Sequence, residues 1–201
     1  MNVIGLTGGS GSGKGEVCKI FAKYGVESID TDKISREITR EGSECLEELV
    51  RQFSLIILDE NGGLDRKKLA EIAFASKENL DILNKITHKY IIEECRDRIQ
   101  EMEQGGKSSV IIDAPLLFES KFNKLCKSII SVIAETSVRL ERVIKRDNLS
   151  LEQAVRRIES QKDDAFLISN STYVIYNNGT IRELERQIAG IYTSMLHYDL
   201  I

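Results

Sequence analysis

Residues 8–14 read Gly8-Gly-Ser-Gly-Ser-Gly13-Lys14, a run of small residues closed by a lysine. Its chemistry is phosphate binding. Glycine reaches backbone conformations closed to other residues, so successive N–H groups can turn inward around an anion. Gly9, Ser10, Gly11, Ser12 and Gly13 supply those amides, the following helix adds the positive end of its dipole, and Lys14 adds a full charge for the outer phosphates. Six of the chain's 14 glycines lie before residue 16, five of them behind the apolar run Val3-Ile-Gly-Leu6. A plain surface turn would need neither that strand nor a lysine at the helix start. A dinucleotide-binding loop needs GxGxxG, and no frame here supplies it. The residue after the lysine is ordinarily Ser or Thr, whose hydroxyl ligates Mg²⁺. Here it is Gly15, followed by Glu16, so a nucleotide site is expected while the metal ligand at this position is unknown.

Asp30 and Asp32 flank Thr31 at the end of a second apolar run, Val26 to Ile29. Ligands of open α/β sheets bind outside the carboxyl ends of strands, and strand alternation would send both carboxylates to one side. Phosphoryl transfer to a hydroxyl uses a carboxylate that orients the acceptor and takes its proton. Asp32 as the cap of a helix over 33–39 is the other reading, and spacing leaves both open. Arg142 and Arg146 stand one helical turn apart with Arg139, Lys145, Arg156 and Arg157 close in sequence. Guanidinium groups suit phosphate oxygens, and a solvated helix face is the alternative.

These residues need elements to position them. Short apolar runs at 3–6, 26–29, 109–112, 129–133 and 173–175 read as strands. Helical patterns separate and follow them: one opens at the phosphate loop, and others cover 138–146, 151–160 and 181–196. The alternation implies βαβ units and a parallel sheet. Between the second and third strands, Leu80, Leu83, Ile86, Tyr90, Ile91, Cys95, Ile99 and Met102 recur at helix spacing, which reads as a helical lobe inserted into the α/β core. His88 falls in that long helix. Asp113 ends the third strand, Pro115 fixes the chain just beyond it, and Leu116-Leu-Phe118 is apolar enough to be core. Asn177-Asn-Gly179 makes a good turn.

Composition narrows the partners. With 41% apolar and 30% charged residues the chain is an ordinary globular one, and a net charge of −4 gives no basic field for nucleic acid or an anionic membrane. The four cysteines form no CxxC pair, so reduced thiols are expected and zinc is not. No basic leader segment and no membrane-length apolar run are visible, so the expectation is a cytoplasmic protein, a monomer or weak homo-oligomer.

Taken in order, Leu6-Thr-Gly-Gly-Ser-Gly-Ser-Gly-Lys14, Asp30-Thr-Asp-Lys-Ile-Ser-Arg36, Asp113-Ala-Pro-Leu-Leu-Phe-Glu119, Arg142, Arg146-Asp147, Arg157-Ile-Glu-Ser-Gln161 and Tyr173-Val-Ile-Tyr-Asn-Asn-Gly179 resemble the successive motifs of dephospho-CoA kinases. The run from Asp113 to Glu119 is the most family-specific piece. The resemblance implies phosphorylation of the ribose 3′-hydroxyl of dephospho-CoA by ATP with Mg²⁺. It also implies a three-layer α/β/α fold with a five-stranded parallel sheet: one domain over 1–201, its core at 1–32, 108–147 and 170–201, a helical CoA-binding lobe at 33–107, and a lid at 148–169. On that pattern the loop from Gly9 through Lys14, Gly15 and Glu16 holds ATP, with Arg142 facing the transferring phosphate and Asn177 near the adenine. Lys14, Asp32, Arg142 and Arg146 carry the transfer. The acceptor side takes Asp32, Arg36, His88, Asp113, Pro115, Leu116, Leu117, Phe118, Glu119, Arg157 and Gln161. The chain departs from the pattern at Gly15, at Lys89 where proline is usual, at Leu167 where a basic residue is frequent, and at Tyr176 where Asp is common. A nucleoside or nucleoside-monophosphate kinase, and a nucleotide-binding regulator without turnover, are the competing readings.

Overall fold

Apolar runs become the central strands, buried on both faces, in the computed structural model, which describes residues 1–201. In chain order the elements are β1 (Asn2–Thr7), α1 (Lys14–Lys23), β2 (Glu27–Asp30), α2 (Thr31–Glu37), α3 (Glu44–Phe53), α4 (Arg66–Phe74), α5 (Lys77–Gln104) and β3 (Ser109–Asp113). They continue with β4 (Ser128–Ile133), α6 (Thr136–Asp147), α7 (Leu151–Glu159), α8 (Asp164–Ser169), β5 (Tyr173–Tyr176) and α9 (Ile181–His197). The expected five-stranded parallel sheet is present, in the order β2-β3-β1-β4-β5. β1 is the middle strand, with Leu6 in register with Asp113 on one side and Ile130 on the other. The loop after β1 therefore leaves the sheet where strands added later lie on both sides, the position at which such sheets bind ligands.

The chain divides into two compact units, 1–29 with 102–201, and 30–101. The first holds the sheet, and its core joins Ile4, Leu6, Ile111 and Ile130 of the strands to Val17, Ile20 and Phe21 of α1 and Leu184 and Ile188 of α9. The apolar residues of α1 recur at helix spacing, so one face is buried while Glu16 and Lys19 pair on the other. α7 and α9 begin with reciprocal caps, Ser150 with Gln153 and Thr180 with Glu183, which satisfy backbone donors left over at a helix start. The second unit is helical, packed around Cys45, Leu49, Phe53, Ile57, Leu69 and Ile86. No helix is long and apolar enough to cross a membrane, and all four cysteines are free thiols.

One boundary differs from the sequence reading, with consequences for the site. β2 runs through Asp30, and α2 starts immediately, at Thr31. Asp30 is the cap: its side chain accepts from the Lys33 N–H at 3.0 Å. Asp32 lies in the first helical turn, so strand alternation does not relate the two carboxylates, and the capping reading of Asp32 is replaced by capping through Asp30.

Phe21 is fully buried in the core under the sheet. Phe21→Ala should lower stability by about 3–5 kcal/mol, seen as a lower urea midpoint for loss of the α/β unit.

Candidate active site

The loop after β1 is defined by what its carbonyls do. Gly13 precedes α1 at φ 96°, a left-handed conformation natural to glycine, and a Cβ there would fall 2.2 Å from Asn177 Nδ2. That close approach lets Asn177, which is buried, donate from Nδ2 to the Ser12 carbonyl at 2.7 Å. From α6, Arg142 Nη1 donates to the Gly11 carbonyl at 3.2 Å and Arg139 Nε to the Ser10 carbonyl at 3.0 Å. Three successive carbonyls are thus held by side-chain donors from α6 and from the turn after β5. Arg142 and Asn177, assigned to the nucleotide by sequence, contact the loop that would cradle it. Lys14 Nζ lies on the Gly8 carbonyl at 3.0 Å. Ser12 Oγ is buried with no hydrogen-bond partner.

Arg139 is the residue the sequence reading passed over. In sequence it is only one of the charges near Arg142 and Arg146, yet it is 5% exposed, and burial pushes its guanidinium pKa down. A Cβ on Gly9 would lie 2.1 Å from its Nη2, so the guanidinium rests on bare loop backbone. The signal available in sequence was its place one turn before Arg142, on the same helix face. Arg146 points elsewhere. Its Nε and Nη2 donate to both carboxylate oxygens of Asp147 at 2.8 and 2.9 Å, and Arg157 joins the same carboxylate. Those hydrogen bonds, Arg146 first, hold the Asp147 carboxyl below its ordinary range.

The segment after β3 approaches the loop from the other side. Ala114 N donates to the Leu6 carbonyl at 3.0 Å and Thr7 Oγ1 to the Pro115 carbonyl at 3.4 Å. Leu117 is fully buried, Leu116 is half exposed, and Phe118 meets Phe166 of α8 edge-on at 5.2 Å. Gly8, Gly9, Pro115, Leu116, Glu119 and Gln161 line a small cleft here. Gln161 Oε1 accepts from the Ser10 N–H at 2.7 Å. Asp113, half-buried at the end of β3, accepts from the Cys18 thiol at 3.8 Å; burial first, and then the Asp113 charge, push that thiol up to about 12.

In the helical unit, Asp32 and Arg36 are exposed one turn apart on α2. Arg66, at the start of α4, donates from Nη2 to Thr39 Oγ1 at 2.7 Å, and its pKa is lowered by burial and then by the Arg36 charge. His88 is half-buried in α5, and burial lowers its pKa.

A sequence model of dephospho-CoA kinase matches residues 2–183. The chain belongs to the dephospho-CoA kinase family. A dephospho-CoA kinase of Fusobacterium nucleatum subsp. nucleatum is 41% identical over 187 residues, covering 92% of this chain and 94% of that protein. Among solved structures, a dephospho-CoA kinase from Campylobacter jejuni superposes with a TM-score of 0.70 at 30% identity, covering 96% of each chain. A Thermus thermophilus protein superposes with a TM-score of 0.82 at 28% identity, covering 96% of this chain and 97% of that one. The family match spans both units.

The His88 shift has a sign. A histidine whose folded pKa lies below the ordinary value of 6.5 binds its proton more readily in the unfolded chain, so stability falls as pH drops below that value toward the folded one. The urea midpoint should therefore decline from pH 7.5 to 5.5, and His88→Asn should flatten that decline.

Proposed function

We propose that this chain transfers the terminal phosphoryl group of ATP to the ribose 3′-hydroxyl of dephospho-CoA, releasing ADP and coenzyme A. The observation that carries the reading is the loop at 8–14, its carbonyls at 10–12 held by Arg139, Arg142 and Asn177, in a chain of this family. With those carbonyls engaged, the amides of the loop and the start of α1 serve the phosphates, and Lys14 moves its charge from the Gly8 carbonyl to the anion. Asp32 orients the acceptor hydroxyl and receives its proton as the new P–O bond forms and the bond to ADP breaks. Capping of α2 falls to Asp30, which fits that role for Asp32. Arg36 and Arg66 hold the acceptor's phosphates. Residues 148–169, carrying Arg157 and Gln161, act as the lid; Arg146 and Arg157 act through Asp147, and Leu116 to Glu119 form the acceptor-side wall. His88 remains in this reading as an acceptor-lobe residue, uncharged at neutral pH.

Mg²⁺ fits the residues present. Such an ion keeps several waters and binds through one or two carboxylates plus substrate phosphates. Asp113, beside β1 at the carboxyl end of β3, is the residue that would hold it. A Cβ on Gly15 would meet nothing within 4 Å, so there is room for water where a hydroxyl is usual. When bound, the ion supplies charge neutralisation at the phosphates.

The test is ADP release from Mg-ATP with and without dephospho-CoA. Release should require the acceptor, yield coenzyme A, and fall by about 100-fold or more in Lys14→Ala and Asp32→Asn; ATP binding without acceptor-dependent release would sink the proposal. Arg36→Ala should raise KM for dephospho-CoA about tenfold while leaving that for ATP nearly unchanged, and equal losses for both would remove Arg36 from the acceptor site. Gly15→Ser should lower the Mg²⁺ concentration that gives half-maximal rate, read from a metal titration at fixed ATP.

A further inference from the structure

We propose that the Ser10 N–H and the Arg139 guanidinium form the subsite for one oxygen of the phosphate being transferred, and that the Gln161 carboxamide oxygen stands in that oxygen's place. This rests on the ATP reading above and adds Arg139 to the catalytic residues. Two donors converge on Gln161 Oε1: the Ser10 N–H at 2.7 Å and Arg139 Nη2 at 3.4 Å. One is an amide of the anion-binding loop and the other a cation, yet the atom they share is neutral. Such a pair holds an anionic oxygen more strongly than an amide oxygen. The Arg139 side chain is 6% exposed, and its nearest carboxylate, Asp164, lies at 3.5 Å. Its other acceptors are the uncharged Ser10 carbonyl and Gln161. A buried guanidinium matched mainly to neutral acceptors is under-compensated, and a phosphate oxygen corrects that.

Position decides which phosphate. Ser10 precedes Lys14 by four residues, at the lip of the loop away from the α1 N-terminus that takes an inner phosphate. Gln161 there borders the cleft shared with Pro115, Leu116 and Glu119, the acceptor-side segment. The terminal phosphate lies on the acceptor side, so it is the one that displaces Gln161. Gln161 joins α7 to α8, and Asp164 opens α8. Phosphate arrival therefore exchanges the direct tie from Ser10 to residues 148–169 for one running from the phosphate through Arg139 to Asp164. In the transition state the spread charge on the equatorial oxygens is what Arg139 stabilises.

The experiment is calorimetric titration of the full-length protein and its variants with Mg-ATP and Mg-ADP, with kcat measured beside it. Gln161→Ala removes the internal competitor, so ATP should bind about three- to tenfold more tightly, the equivalent of one hydrogen bond, while ADP affinity stays constant. Gln161→Glu places a carboxylate on Arg139 and should weaken ATP by about tenfold or more. Arg139→Gln should lower kcat by about 1000-fold, a loss well beyond whatever it costs in ADP affinity through release of the Ser10 carbonyl. Weaker or unchanged ATP binding in Gln161→Ala, as for a purely structural or nucleotide-holding glutamine, would overturn the inference alone. Wild-type protein that binds no ATP would overturn the ATP reading and this inference together.

Discussion

The site depends on carbonyl groups being held away from an anion. A phosphate-binding loop cannot leave its C=O dipoles free to swing toward the ligand, because each would cancel the attraction of an amide beside it. Here Ser10, Gly11 and Ser12 are fixed by Arg139, Arg142 and Asn177, and the glycines exist where those donors come close. The helix α6 that follows β4 and the turn that follows β5 are thus parts of the loop's architecture, although they lie more than 120 residues away in sequence. The parallel sheet makes this possible by bringing the carboxyl ends of β1, β4 and β5 side by side.

Much of this was legible in the sequence, for definable reasons. The central strands β1, β3 and β4, buried on both faces, read as continuous apolar runs, while the edge strands β2 and β5 show only short apolar stretches that lie within a residue or two of their bounds. The phosphate loop is local in sequence, and its glycines and lysine announce themselves. Asp30 and Asp32 were harder. Which of them caps α2 depends on where β2 stops, and a boundary is decided by hydrogen bonds that a pattern of side chains does not record. Arg139 was harder still. Its residue type and helix face match those of Arg146, yet one is buried on the loop and the other engages Asp147 near the surface. What separates them is distance along the helix axis from the loop, a tertiary quantity.

On the proposed reading, substrate selection would divide between the two units. The sheet unit carries the machinery any phosphate-loop kinase needs, and the helical unit carries the paired guanidinium groups of Arg36 and Arg66. Such a division suits an enzyme whose two substrates are both adenine nucleotides.

The Cys18 thiol beside Asp113 carries a consequence for reactivity. Thiolate, not thiol, is the nucleophile toward alkylating agents and oxidants, and with its pKa pushed up to about 12 the Cys18 thiol stays protonated at neutral pH. Cys45, at about 11, and Cys126, at about 12, are held protonated in the same way by burial. A cysteine four residues along α1 from Lys14 would ordinarily make a phosphate site vulnerable to oxidative damage. Here burial first, and then the carboxylate at the end of β3, keep that thiol in its less nucleophilic protonated form.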